Sequence, residues 1–256
     1  VEQRPDLRIY LLKWDLGMIQ ALGRGMTPLF ILDLVTTSRL RLKLDAAHPA
    51  GAAHHQKIIV IDDCLAFCGG IDMTVDRWDT REHLDGDRRR VKPNGRAYVP
   101  WHDATAAVDG EAARAIGDLA RERWRLASDD QLQPTSNPPD AWPEDLRPTF
   151  EHVDVAIART LPLLGDRPEV REIEGLYLAA FARARNIIYI ETQYLASRTL
   201  AEALARRLRE ADGPEILIVL PKEAEGWLEQ KAMDGARRKL LHLLWHADQH
   251  KRLGVY

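Results

Sequence analysis

The stretch that decides the fold is residues 54–62, His-His-Gln-Lys-Ile-Ile-Val-Ile-Asp, which runs on as Asp-Cys-Leu-Ala-Phe-Cys-Gly-Gly. Apolar runs on both sides of the paired aspartates predict two strands joined by a turn. Side chains alternate faces along a strand, so His55 and Lys57 are predicted to share one face. An imidazole beside an ammonium can handle a phosphate, because the ammonium neutralises an oxygen while the imidazole attacks phosphorus or moves a proton.

The composition is that of a globular protein, with 256 residues, 45% hydrophobic, 29% charged and a formal net charge of -3. This length accommodates one large domain or two halves with a shared core. The balanced charge argues against a dedicated nucleic-acid binder, so no nucleic-acid partner is expected. The basic runs at residues 88–90 and 237–239 are interpreted as solvated surface.

The two cysteines, Cys64 and Cys68, have a spacing that is too long for an easy disulfide along one strand. With no Cys/His cluster or calcium-loop spacing nearby, they are predicted to be buried thiols, and no metal or cofactor is expected. The sequence shows no signal peptide and no apolar run of bilayer length. We expect a cytoplasmic or peripheral membrane location; a targeting segment ahead of Val1 stays open.

The rest of the chain alternates between strand and helix patterns. Strands are predicted at residues 8–14, 40–44, 153–157, 186–195, 215–220 and 252–256. Helices are predicted at residues 16–24, 110–126, 169–184, 200–210 and 224–246, and residues 29–35 fit either. Residues 133–148 hold five prolines and are predicted to be a linker between residues 1–132 and 149–256.

The spacing His55-x-Lys57-x-x-x-x-Asp62, with Gly69-Gly70 after it, resembles the phospholipase D superfamily. Further matches to its larger, phosphatidylcholine-cleaving members are Gly-Gly-Ile-Asp at 69–72, Arg-Trp-Asp-Thr at 77–80, Pro-Trp-His-Asp at 100–103, Arg-Trp at 123–124 and Tyr-Ile-Glu-Thr-Gln-Tyr at 189–194. The resemblance implies an α/β fold of two pseudo-repeated halves, each with mixed sheets flanked by helices and one motif facing a shared cleft.

A second motif is not found, because His242, His246 and His250 have no lysine two residues on. Both halves show the same order of strand, helical stretch and short strand, and the chain reaches Tyr256 before the second motif is due. We interpret the chain as a fragment with an incomplete second half, which a further part of the same polypeptide would complete. The alternative is a single-motif protein that builds its site across a homodimer.

The resemblance also implies roles for the motif residues. His55 would attack phosphorus and give a phosphohistidine, after which water or another alcohol takes the phosphatidyl group. Lys57 would hold the non-bridging oxygens, and Asp62 would act structurally and electrostatically near Lys57. Gly69 and Gly70 would allow the backbone to approach the site closely.

Other polar side chains are candidates for supporting or substrate-binding roles. Asp79 either fixes the tautomer of an imidazole or caps a turn. Glu191 and Gln193 share a strand face and match the segment that lines the cleft in the family. His102 and Asp103, adjacent on a loop, are expected to be structural.

The function that the resemblance implies is hydrolysis of the head-group phosphodiester of glycerophospholipids at a membrane surface. The proton for the leaving alcohol comes from the second motif in this family, so little activity is expected from the chain alone. A cardiolipin-synthase-like phosphatidyl transferase and a catalytically silent phosphate-binding module are the alternatives. The sequence decides neither the head group nor hydrolysis against transfer.

Overall fold

The computed structural model describes residues 4–15, 39–136, 138, 140–221 and 227–256. The chain divides into two compact units. The first consists of Val1–Ile157 and Leu164–Arg167, and the second of Ala158–Leu163 and Pro168–Tyr256. No helix among the described residues is long and apolar enough to cross a membrane.

The first unit contains two small sheets and one long helix. Strands β1 (Ile9–Trp14) and β2 (Leu40–Asp45) pair in parallel. Strands β3 (Lys57–Ile61), β4 (Leu65–Gly69) and β5 (Thr105–Asp109) form an antiparallel sheet in that order. Helix α1 (Gly110–Ser128) follows β5 directly and ends at Asp129, whose left-handed φ of 57° closes its last turn.

A small apolar cluster joins α1 to the antiparallel sheet. Ala113 and Ile116 of the helix pack with Ala66 of β4, and all three are buried. Because β4 is the central strand, this contact holds the β3–β4 hairpin against the helix. The strand that carries Lys57 therefore lies on a packed scaffold, with Ile58, Val60 and Val108 at the edge of the cluster.

The second unit is an α/β layer with its helices packed on a parallel sheet. A short hairpin of β6 (Thr160–Leu161) and β7 (Val170–Arg171) comes first. Next come α2 (Glu172–Arg183), β8 (Ile187–Glu191), α3 (Arg198–Arg209), β9 (Glu215–Val219), α4 (Trp227–Ala247) and β10 (Leu253–Val255). The three later strands pair in parallel in the order β10-β9-β8.

The core of the second unit forms around the central strand β9. Ile216 and Ile218 of this strand are completely buried, as are Leu208 of α3 and Leu244 of α4. The buried residues of α3 recur at helical spacing, so one face of the helix lies on the sheet. Ser197 caps this helix by accepting a hydrogen bond from the Leu200 amide at 3.3 Å.

The mixed α/β class predicted from the sequence is confirmed, while some elements differ. Residues 153–157 form no strand, since no ladder in the described part of the chain pairs with them. Strand β5 was not predicted, and the strand expected at 186–195 ends at Glu191. The helix expected at 16–24 and the ambiguous run at 29–35 lie outside the described residues. Residues 133–148, predicted to be a linker, belong to the first unit.

Candidate active site

Lys57 lies at the open end of the β3–β4 hairpin and is held there by two contacts. Its Nζ donates to the His55 carbonyl oxygen at 3.1 Å and pairs with Asp72 Oδ1 at 3.2 Å. The Lys57 side chain is only 13% exposed, whereas His55 is exposed. The strand begins at Lys57, so the predicted inclusion of His55 in the strand is wrong: His55 lies in the loop just before it.

Gly69 and Gly70 allow the chain to pass close to Lys57. Gly69 is paired with Lys57 on one side and with Thr105 on the other. A Cβ at Gly69 would lie closer than 3.0 Å to the Ala104 carbonyl oxygen, and one at Gly70 would collide with the Asp103 carboxylate. The glycines therefore bring the 103–105 segment against the end of the hairpin that carries Lys57.

The motif aspartate Asp62 lies in the turn at the opposite end of β3. Five strand residues separate its position from the site end, a span of about 16 Å at the usual rise per residue. The expected electrostatic role of Asp62 near Lys57 is therefore wrong, because an extended strand keeps the two apart. The carboxylate that pairs with Lys57 is Asp72, which the sequence pattern did not indicate as a site residue.

Asp63, the neighbour of Asp62, is the buried carboxylate of this turn. It accepts from Arg121 Nη1 at 2.6 Å and from the Thr135 amide at 2.8 Å. These contacts fasten the turn to α1 and to the segment after it. Cys64 is partly buried and Cys68 is exposed, so the prediction of buried thiols is wrong for Cys68, although both cysteines are free as expected.

Asp79 organises the segment between Gly70 and Asp103. Its carboxylate accepts from the Thr80 amide at 2.8 Å, the Trp101 amide at 3.0 Å and Arg90 Nη1 at 2.8 Å. Burial alone would raise the pKa of Asp79, but these hydrogen bonds lower it to about 2. His83 Nδ1 also lies 2.6 Å from Asp79 Oδ2. Asp79 therefore caps a turn and also contacts an imidazole, that of His83.

His102 and Asp103 follow this segment and make separate contacts. The His102 ring packs edge-on against His83, with 6.0 Å between ring centroids. Asp103 Oδ1 accepts a hydrogen bond from the Ala104 amide at 2.7 Å. This second contact fixes the Asp103 carboxylate beside Gly70, at the same end of the sheet as Lys57.

A buried polar cluster that the sequence did not reveal supports the loop before His55. Asp45, at the end of β2, forms an ion pair with Arg123 of α1, and both side chains are almost completely buried. His54 Nε2 lies 3.2 Å from Asp45 Oδ1, and Arg123 Nη2 lies 3.0 Å from His54 Nδ1. His54 lies 69 positions and Asp45 lies 78 positions before Arg123 in the chain, so no local sequence pattern indicates these contacts.

His54 is favoured as a neutral imidazole in this cluster. Burial lowers its pKa first, the Arg123 charge lowers it further, and Asp45 opposes both. A neutral ring has one donor and one acceptor, so it can donate to Asp45 and accept from Arg123 at the same time. The backbone next to His55 is thereby tied to β2 and α1.

Glu191 and Gln193, the predicted cleft residues of the second half, lie at the end of β8 in the second unit. Both are exposed. The Tyr189 hydroxyl donates to the Glu191 carboxylate, and this bond raises the pKa of Tyr189. No group of three or more metal-ligating side chains suited to an ion occurs among the described residues.

This chain is similar to several curated proteins that are named as phospholipases D. Phospholipase D A of Dictyostelium discoideum is 24% identical over 269 residues, covering 90% of this chain and 21% of that protein. Phospholipase D1 of Saccharomyces cerevisiae is 31% identical over 196 residues, covering 58% and 12%. Phospholipase D alpha 3 of Arabidopsis thaliana is 28% identical over 240 residues, covering 72% and 28%. The chain thus spans under a third of the length of these relatives, and no protein-family model matches it.

Proposed function

The chain belongs to the phospholipase D superfamily, and we propose that it carries the nucleophilic half of a phosphodiesterase that cleaves the head-group phosphodiester of glycerophospholipids. The observation that supports this proposal is the fixed Lys57 ammonium, 3.1 Å from the His55 carbonyl oxygen and beside the glycine pair. A cation held beside a histidine can bind a phosphodiester where an imidazole nitrogen can reach phosphorus.

In the first step, an imidazole nitrogen of His55 forms a bond to phosphorus while the bond to the head-group oxygen breaks. Lys57 stabilises the negative charge that builds on the non-bridging oxygens. In the second step, a water oxygen attacks phosphorus and the phosphorus–nitrogen bond breaks. The group that protonated the leaving alcohol takes a proton from this water, and His55 is regenerated. The leaving alcohol needs a proton, which we assign to a histidine of a second motif outside these residues.

The nucleophile can be tested without the missing acid. A p-nitrophenyl phosphodiester releases a stable anion, so its first step needs little help from a general acid. We expect the chain to form a covalent phosphoryl adduct on the peptide that contains His55, detected by mass spectrometry at alkaline pH, where phosphohistidine survives. A choline ester should react far more slowly with the same chain.

Two variants separate the roles. His55→Asn should abolish the adduct, whereas Lys57→Gln should slow its formation by roughly 100-fold or more, the usual cost of losing one charge-stabilising group. The exposed His152 of the same unit provides the matched histidine control, and the His152→Asn variant should still form the adduct. An adduct that persists in the His55→Asn variant, or none with the unaltered chain, would exclude His55 as the nucleophile.

A further inference from the structure

A short antiparallel hairpin, residues 88–99, protrudes from the segment that Asp79 organises. Val91 pairs with Ala97, the Lys92 amide donates to the Arg96 carbonyl at 2.8 Å, and the Tyr98 amide donates to the Arg90 carbonyl at 3.2 Å. Gly95 makes the turn with a φ of 78°. These backbone hydrogen bonds hold the two arms of the hairpin together.

The inner side of the hairpin is anchored by charged groups. Arg90 is completely buried and donates to Asp79 and to the carbonyl oxygens of Leu84 and Asp85. Lys92 pairs with Asp76 at 2.6 Å. The expectation that residues 88–90 form a solvated surface is therefore wrong for Arg90, which serves as the internal anchor of the hairpin.

The outer side of the hairpin is exposed and apolar. Val91 pairs directly with Ala97, so alternation puts these two side chains on the side opposite Arg90, and Val99, two positions after Ala97, on the same side. Val91 is 50% and Val99 is 66% exposed. The guanidinium of Arg89 lies over the exposed ring of Trp78, 5.3 Å from its centroid, so an exposed aromatic side chain lies beside the hairpin.

The charge of the hairpin has a single sign. Residues 88–99 contain five basic residues and no acidic residue. Arg89, Arg90 and Lys92 have carboxylate partners outside the hairpin. Arg88 and Arg96 are exposed and form no ion pair with any residue that the structure describes, so their charges are available to a partner.

The hairpin is also connected to the candidate site. Asp72, at the start of the segment, pairs with Lys57, and the Gly70 amide donates to the Ala104 carbonyl at 3.1 Å where the segment returns. Trp101 is tied to Asp79 by its amide. The hairpin and the Lys57 ammonium are thus connected through the segment between Gly70 and Asp103, within the first unit.

We propose that the exposed Val91, Ala97 and Val99, with Trp78 beside them, form a docking face for a bilayer that contains anionic lipids. Arg88 at the base of the hairpin and Arg96 at its turn supply the positive charge. Aromatic and aliphatic side chains enter the interfacial region of a bilayer, and unpaired arginines are attracted to its negative surface. The proposal rests on the proposed function, since an enzyme that cleaves glycerophospholipids has to reach them at the surface of a bilayer.

Sedimentation with vesicles tests this docking face independently of any reaction. The chain should bind vesicles of phosphatidylcholine with phosphatidylserine and bind pure phosphatidylcholine vesicles much more weakly. Val99→Glu should reduce binding at least fivefold, while Val153→Glu, an exposed valine in the same unit, should not change it. Neutralising Arg88 or Arg96 with glutamine should each weaken binding about fivefold.

Three results would overturn the proposed docking face. They are no binding to the anionic vesicles, equal binding by the Val99→Glu and Val153→Glu variants, and binding to a nucleic-acid oligomer that exceeds binding to the vesicles. The adduct test on the p-nitrophenyl ester uses a soluble substrate, so the proposed function and the docking face can fail separately.

Discussion

Asp62 and Asp63 both have left-handed backbone angles, with φ of 48° and 58°. Such angles are uncommon for residues other than glycine, and Asn and Asp adopt them more readily than most. The motif aspartate thus occupies a position where its backbone conformation matters. The left-handed backbone angle therefore explains why the motif has an aspartate at position 62, although this residue lies far from Lys57.

A substitution series at Asp62 tests this backbone role. Asp62→Gly and Asp62→Asn should leave the free energy of unfolding nearly unchanged, whereas Asp62→Ala should lower it by about 1 kcal/mol. Urea unfolding measures the differences. Asp63→Gly is the contrasting variant and should destabilise the chain, because it removes the contacts to Arg121 and Thr135. Equal stability of the Gly and Ala variants at position 62 would contradict the assignment.

His54 gives a prediction about pH. Its pKa is lowered by burial and Arg123, so the folded state favours the neutral ring while the unfolded chain takes up a proton near pH 6.5. The contribution of His54 is therefore complete above about pH 6.5 and declines as the pH falls towards its folded pKa. Urea midpoints at pH 7.5 and 5.5 should differ less in His54→Gln than in the unaltered chain. An unchanged difference would exclude His54 as the source.

At the scale of elements, the three antiparallel strands approach so closely that Gly69 cannot carry a side chain. Gly69→Ala should cost about 1–3 kcal/mol, because its Cβ would meet the backbone of Ala104. Gly70→Ala should cost less, since its Cβ meets the Asp103 side chain, which can turn away with the loss of one hydrogen bond, that from the Ala104 amide. Thermal unfolding checks the order. Gly86→Ala, with open space around it, is the control and should be neutral.

The elements that could be predicted from the sequence are those with strong periodicity. Strands β2, β3 and β4 and helices α1 and α3 follow their apolar patterns closely. Strand β5 has the weak sequence Thr-Ala-Ala-Val-Asp, and its pairing with β4 comes from tertiary contact. Residues 153–157 show the reverse case, because apolar alternation without a neighbouring strand gives no ladder.

The sequence could predict only those residues of the candidate site that lie at fixed positions within one short motif. The motif identified His55, Lys57 and the glycine pair, whose close packing with residues 103–105 the structure describes. It could not identify Asp72 as the partner of Lys57, or Asp45 and Arg123 as partners of His54. These contacts depend on how distant elements pack, and a spacing pattern carries no information about that.

At the scale of the whole molecule, each unit has its own apolar core. Among the residues that the structure describes, the apolar cluster of the second unit has thirteen buried members, against three in the cluster beneath the β3–β4 hairpin. Burial of apolar surface is the main favourable contribution to folding. We therefore expect the amides of β9 and α3 to exchange with solvent more slowly than those of β3.

The Leu204→Ala variant tests whether the cores are energetically separate. Leu204 is 1% exposed in the second unit, so its truncation should cost about 2–5 kcal/mol. Hydrogen exchange should accelerate in β8, β9 and α3, while exchange in β3 and β4 stays unchanged. Ala107→Gly, in the partly buried part of β5, is the reciprocal variant and should affect the first unit alone. Acceleration in both units with either variant would show a single cooperative core.

The Lys57–Asp72 ion pair affects which anions can bind at Lys57. Any phosphate that binds Lys57 must compete with a carboxylate already 3.2 Å away, so it exchanges one ion pair for another. A free anion gains little from such an exchange, because it offers nothing beyond its charge. A phosphate that is part of a larger molecule gains from the contacts of its other groups. The pair therefore selects against small free anions. Inorganic phosphate and sulfate should inhibit adduct formation at His55 only weakly, and the Asp72→Asn variant, which lacks the carboxylate, should be inhibited more strongly by both.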